Sequence, residues 1–272
     1  MFDALVTMMA GVGAGCLGAL LGLGGGVFLM PILNLGLHLS FRQSTAISLV
    51  TVIATSSVTS ASAGRLQLVN LRLGMVLEIF TTLGGLSGLL LVYRFTDRTL
   101  YVTFGIVLMV VAMVMIRKRD QRVSSPDPTI DIGRLGARYD DVDTRQEVAY
   151  RVRRLPVAFG ASYIAGVVST LVGIGGGILK VPALNVWCGV PIRAAAATSA
   201  LMIGATAVVG AAAYFVRGEI VASFAAAAAL GVLAGSRVGF AISVRTRARG
   251  LKLIMAGVLA VVAVIYFARA MP

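Results

Sequence analysis

Acidic side chains are scarce in this chain, with 11 Asp and Glu against 24 Lys and Arg in 272 residues. Charged residues together make up 13%, about half of what a water-soluble domain of this size carries. Much of the surface must therefore face something other than water. Cysteine is nearly absent. Cys16 and Cys188 lie in apolar runs and form no C-x-x-C pair, so no disulfide framework is available and both read as small packing residues. The single histidine, His38, reads as a loop residue without a catalytic role. No His/Cys/Asp cluster has metal-ligand spacing and no nucleophile stands beside a base. The sequence thus calls for no cofactor, no metal and no enzymatic chemistry. The start, Met1-Phe2-Asp3, lacks the basic segment that opens a signal peptide and reads as retained.

What the chain has is apolar length. Hydrophobic residues make up 58% and the mean hydropathy is +0.93. A bilayer core needs about 20 apolar residues per helix. Thr45–Ala63, Leu73–Tyr93, Leu100–Ile116, Ala194–Val216, Ile220–Val244 and Leu251–Ala270 qualify, with Glu78 and Arg237 the only charges deep inside any of them. Arg237 is expected either to pair with Glu78 or to lie near a helix end. The fold class is all-α integral membrane. The net charge of +13 argues for no nucleic-acid partner, because the basic residues sit between apolar runs. They read as the Lys and Arg that collect in cytoplasmic loops.

Two stretches, Ala4–Leu39 and Leu155–Val190, are too long for one span, and each is broken by glycines. One reads Gly22-Leu23-Gly24-Gly25-Gly26 and then Pro31. The other reads Gly173-Ile174-Gly175-Gly176-Gly177 and then Pro182. Glycine costs a helix interior about 1 kcal/mol each relative to Ala. Broken backbone at membrane depth survives only inside protein or beside a watery cavity.

The two stretches are copies at a constant offset of 151 positions. Leu33-Asn34 matches Leu184-Asn185, Arg42 matches Arg193, Ser48 matches Ser199, and Gly84 and Gly88 match Gly235 and Gly239. The register runs without a gap to Leu100 and Leu251. Shared membrane composition gives chance matches of Leu and Ala, not of Pro, Asn, Arg and four glycines together. The chain therefore divides into a first transmembrane repeat, 1–116, a soluble charged linker, 117–155, and a second repeat, 156–272, each repeat holding about four hydrophobic segments. Within the linker, Asp141–Arg154 is expected to form a short amphipathic helix. Paired, Gly-interrupted segments in repeated halves mark secondary transporters, whose site lies at the repeat interface. If each broken stretch is a re-entrant pair that does not cross, the halves are inverted and Arg245, Arg247, Arg249 and Lys252 fall on the side of the linker. If each crosses once, the halves are parallel and that cluster falls opposite. The rule that basic loops stay inside favours inversion with a cytoplasmic linker.

Gly-x-Gly-Gly-Gly followed five residues later by Pro, occurring twice, resembles the TauE/SafE family of sulfite and organosulfonate exporters. Lys180-Val181-Pro182-Ala183-Leu184-Asn185, Ala197-Thr198-Ser199 and Met202-Ile203-Gly204 are similar to one bacterial branch of it. The first half departs after its proline: Ile47 stands at the register position of Thr198. The resemblance implies a multi-pass permease of the bacterial plasma membrane, exporting sulfite or another small sulfur oxyanion or organosulfonate by alternating access between the repeats. Its partners are a small anionic substrate and the lipid bilayer; a homo-oligomer is compatible with the sequence.

The expected substrate-binding residues follow from the chemistry of anions. A half-helix that starts after a break turns unpaired N–H groups and its positive end toward an oxyanion. That selects Gly24, Gly25 and Gly26 with Gly175, Gly176 and Gly177. Lys180 is an ionisable group at membrane depth, and Leu29 is its register mate. Asn34, Ser48, Asn185, Thr198 and Ser199 offer further donors; helix capping is the alternative use of such side chains. The shortage of membrane carboxylates favours an anion over a cation. Export of an anion from a negative interior gains about 2.3 kcal/mol per charge per 100 mV. The rivals are a carrier of thiosulfate, which predicts that Cys16 or Cys188 lines the path, a carrier of metal cations, and a membrane protein without transport activity.

Overall fold

The computed structural model describes residues 2–21, 24–65, 67–117, 132–141, 146–245 and 249–270. Gly22, Pro126-Asp127-Pro128 and Arg247 lie outside them. The described chain is almost entirely helical. Helix α1 is Phe2–Leu21; α2, Gly26–Pro31, widens into a π-turn at Ile32–Gly36; α3 is Phe41–Arg65, α4 Leu71–Val92 and α5 Asp97–Arg117. The second half follows the same plan. Helix α6 is Leu155–Val172; α7, Gly177–Pro182, widens into a π-turn at Ala183–Trp187; α8 is Ile192–Val216, α9 Ala222–Arg245 and α10 Arg249–Ala270. Among the described residues, α1, α3, α4, α6, α8 and α9 are each long and apolar enough to cross a membrane.

Local chemistry explains the boundaries. Ser40 and Gln43 bond each other's backbone N–H reciprocally at the start of α3, at 3.1 and 3.2 Å. Asn70 caps α4 by accepting from the Leu73 N–H at 3.0 Å. Pro31 and Pro182 lack an N–H and crowd the preceding turn, so the half-helices widen just beyond them. Gly173 ends α6 at φ +72°, a conformation that disfavours side chains.

The helices pack through small residues, as membrane helices do. Helix α1 lies along α9 in parallel. A methyl placed on Gly11 would meet the Ala228 carbonyl at 2.7 Å, and one on Gly15 the Val232 carbonyl at 2.6 Å. Helix α6 lies along α4 in parallel, with Gly84 on Tyr163 and Gly88 on Val167. Helices α3 and α8 cross antiparallel in the middle: Leu49 meets Gly210, and Ser56 donates to the Ala200 carbonyl. Helix α5 packs on α10, with Phe104 4.6 Å from Tyr266 between ring centres. The outer face of α4 exposes Leu71, Met75, Ile79, Leu83, Leu86 and Leu90, a stripe suited to lipid.

One expectation fails. In place of an amphipathic helix over Asp141–Arg154, the linker holds a β-hairpin of β1, Ala137–Asp141, and β2, Gln146–Tyr150. Tyr139 pairs with Val148, and Tyr139, Ala149 and Tyr150 are buried. Ala137 opposite Tyr150 and Tyr139 opposite Val148 give each strand an apolar period of two, which outweighs the helical tendency of the charged residues. Asn70 holds the hairpin on the membrane core by donating to the Leu135 carbonyl and the Tyr150 hydroxyl, at 2.8 and 3.2 Å. Burial pushes the Tyr150 phenol above its usual range.

Candidate functional site

The two glycine breaks meet at the centre, on α3. After α1 the chain turns back, so that Gly25 lies beside Ala14 and Thr55. Gly26 then starts α2 against Ser48 and Val52, half-way along α3, and α2 runs back toward the start of α3. In the second half Gly175 lies against Ile203, half-way along α8, and against Val52. The Ser48 hydroxyl lies 2.7 Å from the Gly173 carbonyl and 3.0 Å from that of Gly26, joining the two breaks. Gly24, Gly175 and Gly176 have φ of +78°, +84° and +68°, and a methyl on Gly26 would sit 2.5 Å from the Gly173 carbonyl oxygen. Both conditions call for glycine.

Beside this junction a narrow cleft is lined by Gly18, Gly24, Thr55, Ser56, Thr59, Ala200 and Ile203, with room for about one water-sized group. It extends along α3 toward Thr59, the end at which the linker lies. Ser44, Ser48, Thr51, Thr55 and Thr59 form one buried hydroxyl stripe along α3. The 4-3-4-4 spacing of that stripe marks one helical face in the sequence, and of its members Ser48 alone is among the expected substrate-binding residues.

Lys180 is fully buried, 1% exposed, so it does not reach the interface. Its ammonium lies 3.7 Å from Glu78 on α4, whose other carboxylate oxygen accepts from Thr206 at 2.7 Å. Lys180, not Arg237, is thus the partner of Glu78, and Arg237 is exposed on α9. The pair connects the two halves of the chain. Its counterparts at the repeat offset, Leu29 and Ala229, carry no charge.

The remaining expected residues scatter. Asn34 donates to the Leu39 carbonyl at 2.8 Å and Asn185 to the Val190 carbonyl at 2.9 Å, each closing the turn between a half-helix and the next long helix. The Asn34 oxygen also accepts from Tyr266 at 3.0 Å. Thr198 accepts from the Asn70 N–H at 2.9 Å, at the entry to α4, away from the glycine junction. Ser199 is buried with its hydroxyl unpartnered, as are those of Ser44 and Thr45. Cys16 and Cys188 are free thiols, and neither lines the cleft.

The sequence matches the family model described as "Sulfite exporter TauE/SafE" over residues 7–266. The chain belongs to the TauE/SafE family. It is 24% identical over 258 residues to the "Probable membrane transporter protein YunE" of Bacillus subtilis (strain 168), covering 92% of each chain. No solved structure is significantly similar to it. Membership makes this TauE/SafE protein a multi-pass membrane transporter, and the six long apolar helices agree with that.

Ser48 is the member of the junction whose loss is simplest to measure. Ser48→Ala removes the donor shared by two carbonyls at membrane depth and should cost about 1–3 kcal/mol. A thermal melt in detergent reads this; Ser57→Ala, which removes only an exposed hydroxyl bonded within α3, should leave the melt unchanged.

Proposed function

We propose that the protein exports a small anion, sulfite or an organosulfonate in first place, by alternating access between inverted halves 1–116 and 156–272. The observation that carries the proposal is the meeting of the two glycine breaks on Ser48, which donates to the carbonyl of Gly26, the first residue of α2, and to that of Gly173, which closes α6. The half-helices α2 and α7 start at Gly26 and Gly177, each just after its break, and free N–H groups and positive dipole ends of that kind suit an oxyanion that glycine lets approach the backbone. Gly24, Gly25, Gly26, Gly175, Gly176 and Gly177 are its proposed contacts. Ser48 and Lys180 position the half-helices, Lys180 by fastening α7 to α4.

Helix directions support inversion. The repeat mates α3 and α8 pack antiparallel. Helices α4, α6 and α8 run one way, so the half-helix between α6 and α8 makes the return, as a re-entrant pair does. Charge then supports the orientation. The end at which α5 stops and α6 starts carries Arg72, Arg151, Arg153, Arg154 and Arg193, with the Arg245–Lys252 cluster. The opposite end carries Arg42, Arg94, Arg98, Arg217 and Arg269 beside Asp3, Asp97 and Glu219. Taking the more basic end as the cytoplasmic one supports a linker that lies inside and a cleft that faces the cytoplasm in this conformation.

The test is counterflow of labelled sulfite in liposomes, with sulfoacetate, taurine, thiosulfate and chloride as competitors. Saturable exchange inhibited by one sulfur oxyanion is the expected result. Folded protein without flux of any of these anions would overturn the anion reading in favour of cation carriage.

A further inference from the structure

At the ends of the helices opposite the linker, arginines from the two halves converge on one tyrosine. Arg42 is the second residue of α3, Arg217 follows α8, and Tyr93 follows α4. The Arg217 guanidinium carbon lies 3.6 Å from the centre of the Tyr93 ring, and that of Arg42 lies 5.4 Å from it. The acids at that end are Asp3, Asp97 and Glu219, and among the described residues none comes within 4.0 Å of either guanidinium. Arg42 Nε and the Tyr93 hydroxyl are both buried without a hydrogen-bond partner. So are the hydroxyls of Ser44 and Thr45 in the next turn of α3, which leads to Ser48. Buried polar atoms are normally satisfied, so the two unpartnered donors of this cluster, Arg42 Nε and the Tyr93 hydroxyl, call for an explanation.

We propose that Arg42, Arg217 and Tyr93 form a second anion subsite, at the release end of the path. It rests on the anion-permease reading and adds where the anion is held before it leaves. Guanidinium forks and a phenol hydroxyl are donors suited to a small oxyanion. In this conformation the ring face of Tyr93, which is electronegative, occupies the guanidiniums in the anion's stead. Opening that end separates α3 from α8 and frees both arginines for the substrate. The subsite is one-sided: at the repeat offset, Tyr93 corresponds to Val244 and Arg217 to Leu66, so the cytoplasmic end has no copy of it. A lipid headgroup offers the same oxyanion chemistry, and the test separates the two sources.

The experiment is sided counterflow of labelled sulfite in liposomes with only the linker-inside orientation left active. Arg42→Gln/Arg217→Gln should raise the half-saturating sulfite concentration on the side opposite the linker on the order of tenfold, with the value on the linker side unchanged. Arg217→Gln alone removes an exposed side chain that the fold does not need, and should give a smaller shift of the same sidedness; Arg217→Lys should restore part of it. Equal changes on both sides, or none on the far side, would overturn the subsite. Unchanged half-saturation together with loss of anionic lipid from the purified variant would assign the arginines to lipid and overturn it too. Wild type without flux of sulfite or any of the competitor anions defeats the anion-permease reading itself and takes this subsite with it.

Discussion

Lys180→Met should destabilise the protein by about 3–5 kcal/mol, and adding Glu78→Gln to it should recover most of the loss. The single substitution leaves the Glu78 carboxylate at membrane depth with neutral hydroxyl partners, Thr206 and Thr82, and no cation. The double variant keeps the shape of both side chains and removes both charges. Buried ion pairs commonly tolerate such paired neutralisation, because the desolvation cost of two ions disappears with their attraction. Melting temperatures in detergent for the two singles and the double give the coupling directly. Additive losses would mean that the 3.7 Å contact is not an energetic pair. The double variant also separates two uses of Lys180. If it only fastens α7 to α4, the double should fold and exchange anions; if its charge meets the substrate, the double should fold and fail to exchange.

Gly26→Ala should lower counterflow about tenfold or more without unfolding the chain. The added methyl would lie 2.5 Å from the Gly173 carbonyl oxygen, 2.6 Å from Ser48 Oγ and 2.7 Å from Val52. The closest of these is backbone and cannot swing aside, so the two breaks must move apart. Overpacking of this kind costs about 1–3 kcal/mol, which the junction itself absorbs. Gly13→Ala and Gly160→Ala, where a methyl meets nothing within 4 Å, are the controls and should leave both flux and melting unchanged. Flux in Gly26→Ala equal to that of the controls would remove the junction from the transport path.

The long spans, the two glycine breaks and their prolines were legible from the sequence because each is a local property: apolar length, loss of helix propensity and loss of an N–H. The offset of 151 positions was legible because Pro, Asn, Arg and Gly recur at that spacing without a gap. The β-hairpin was not, since the linker's charges obscured the alternation of Tyr139, Val148 and Tyr150. The Glu78 partnership was not either. Arg237 and Lys180 were equally available cations in the sequence, and only the parallel packing of α4 on α6 and α8 brings Lys180 to Glu78. Asn34, Asn185 and Thr198 show the limit of residue type as a guide. An amide or hydroxyl can serve a ligand or a turn, and here the observed bonds are to the turns.

The way α1 lies on α9 and α6 on α4 has a bearing on how the molecule is made. The glycines of α1 are shaped for the carbonyl-lined groove of a helix translated more than 200 residues later, a distance read from Gly11 and Ala228. During synthesis α1 must wait in the bilayer, its small-residue face open to lipid or to the insertion machinery, until nearly the whole polypeptide has emerged. Neither half should therefore be a self-sufficient folding unit, although the two share one order of elements. Genes encoding 1–116 and 156–272 separately should yield assembled protein only when both are expressed together, each fragment degraded in the absence of its complement.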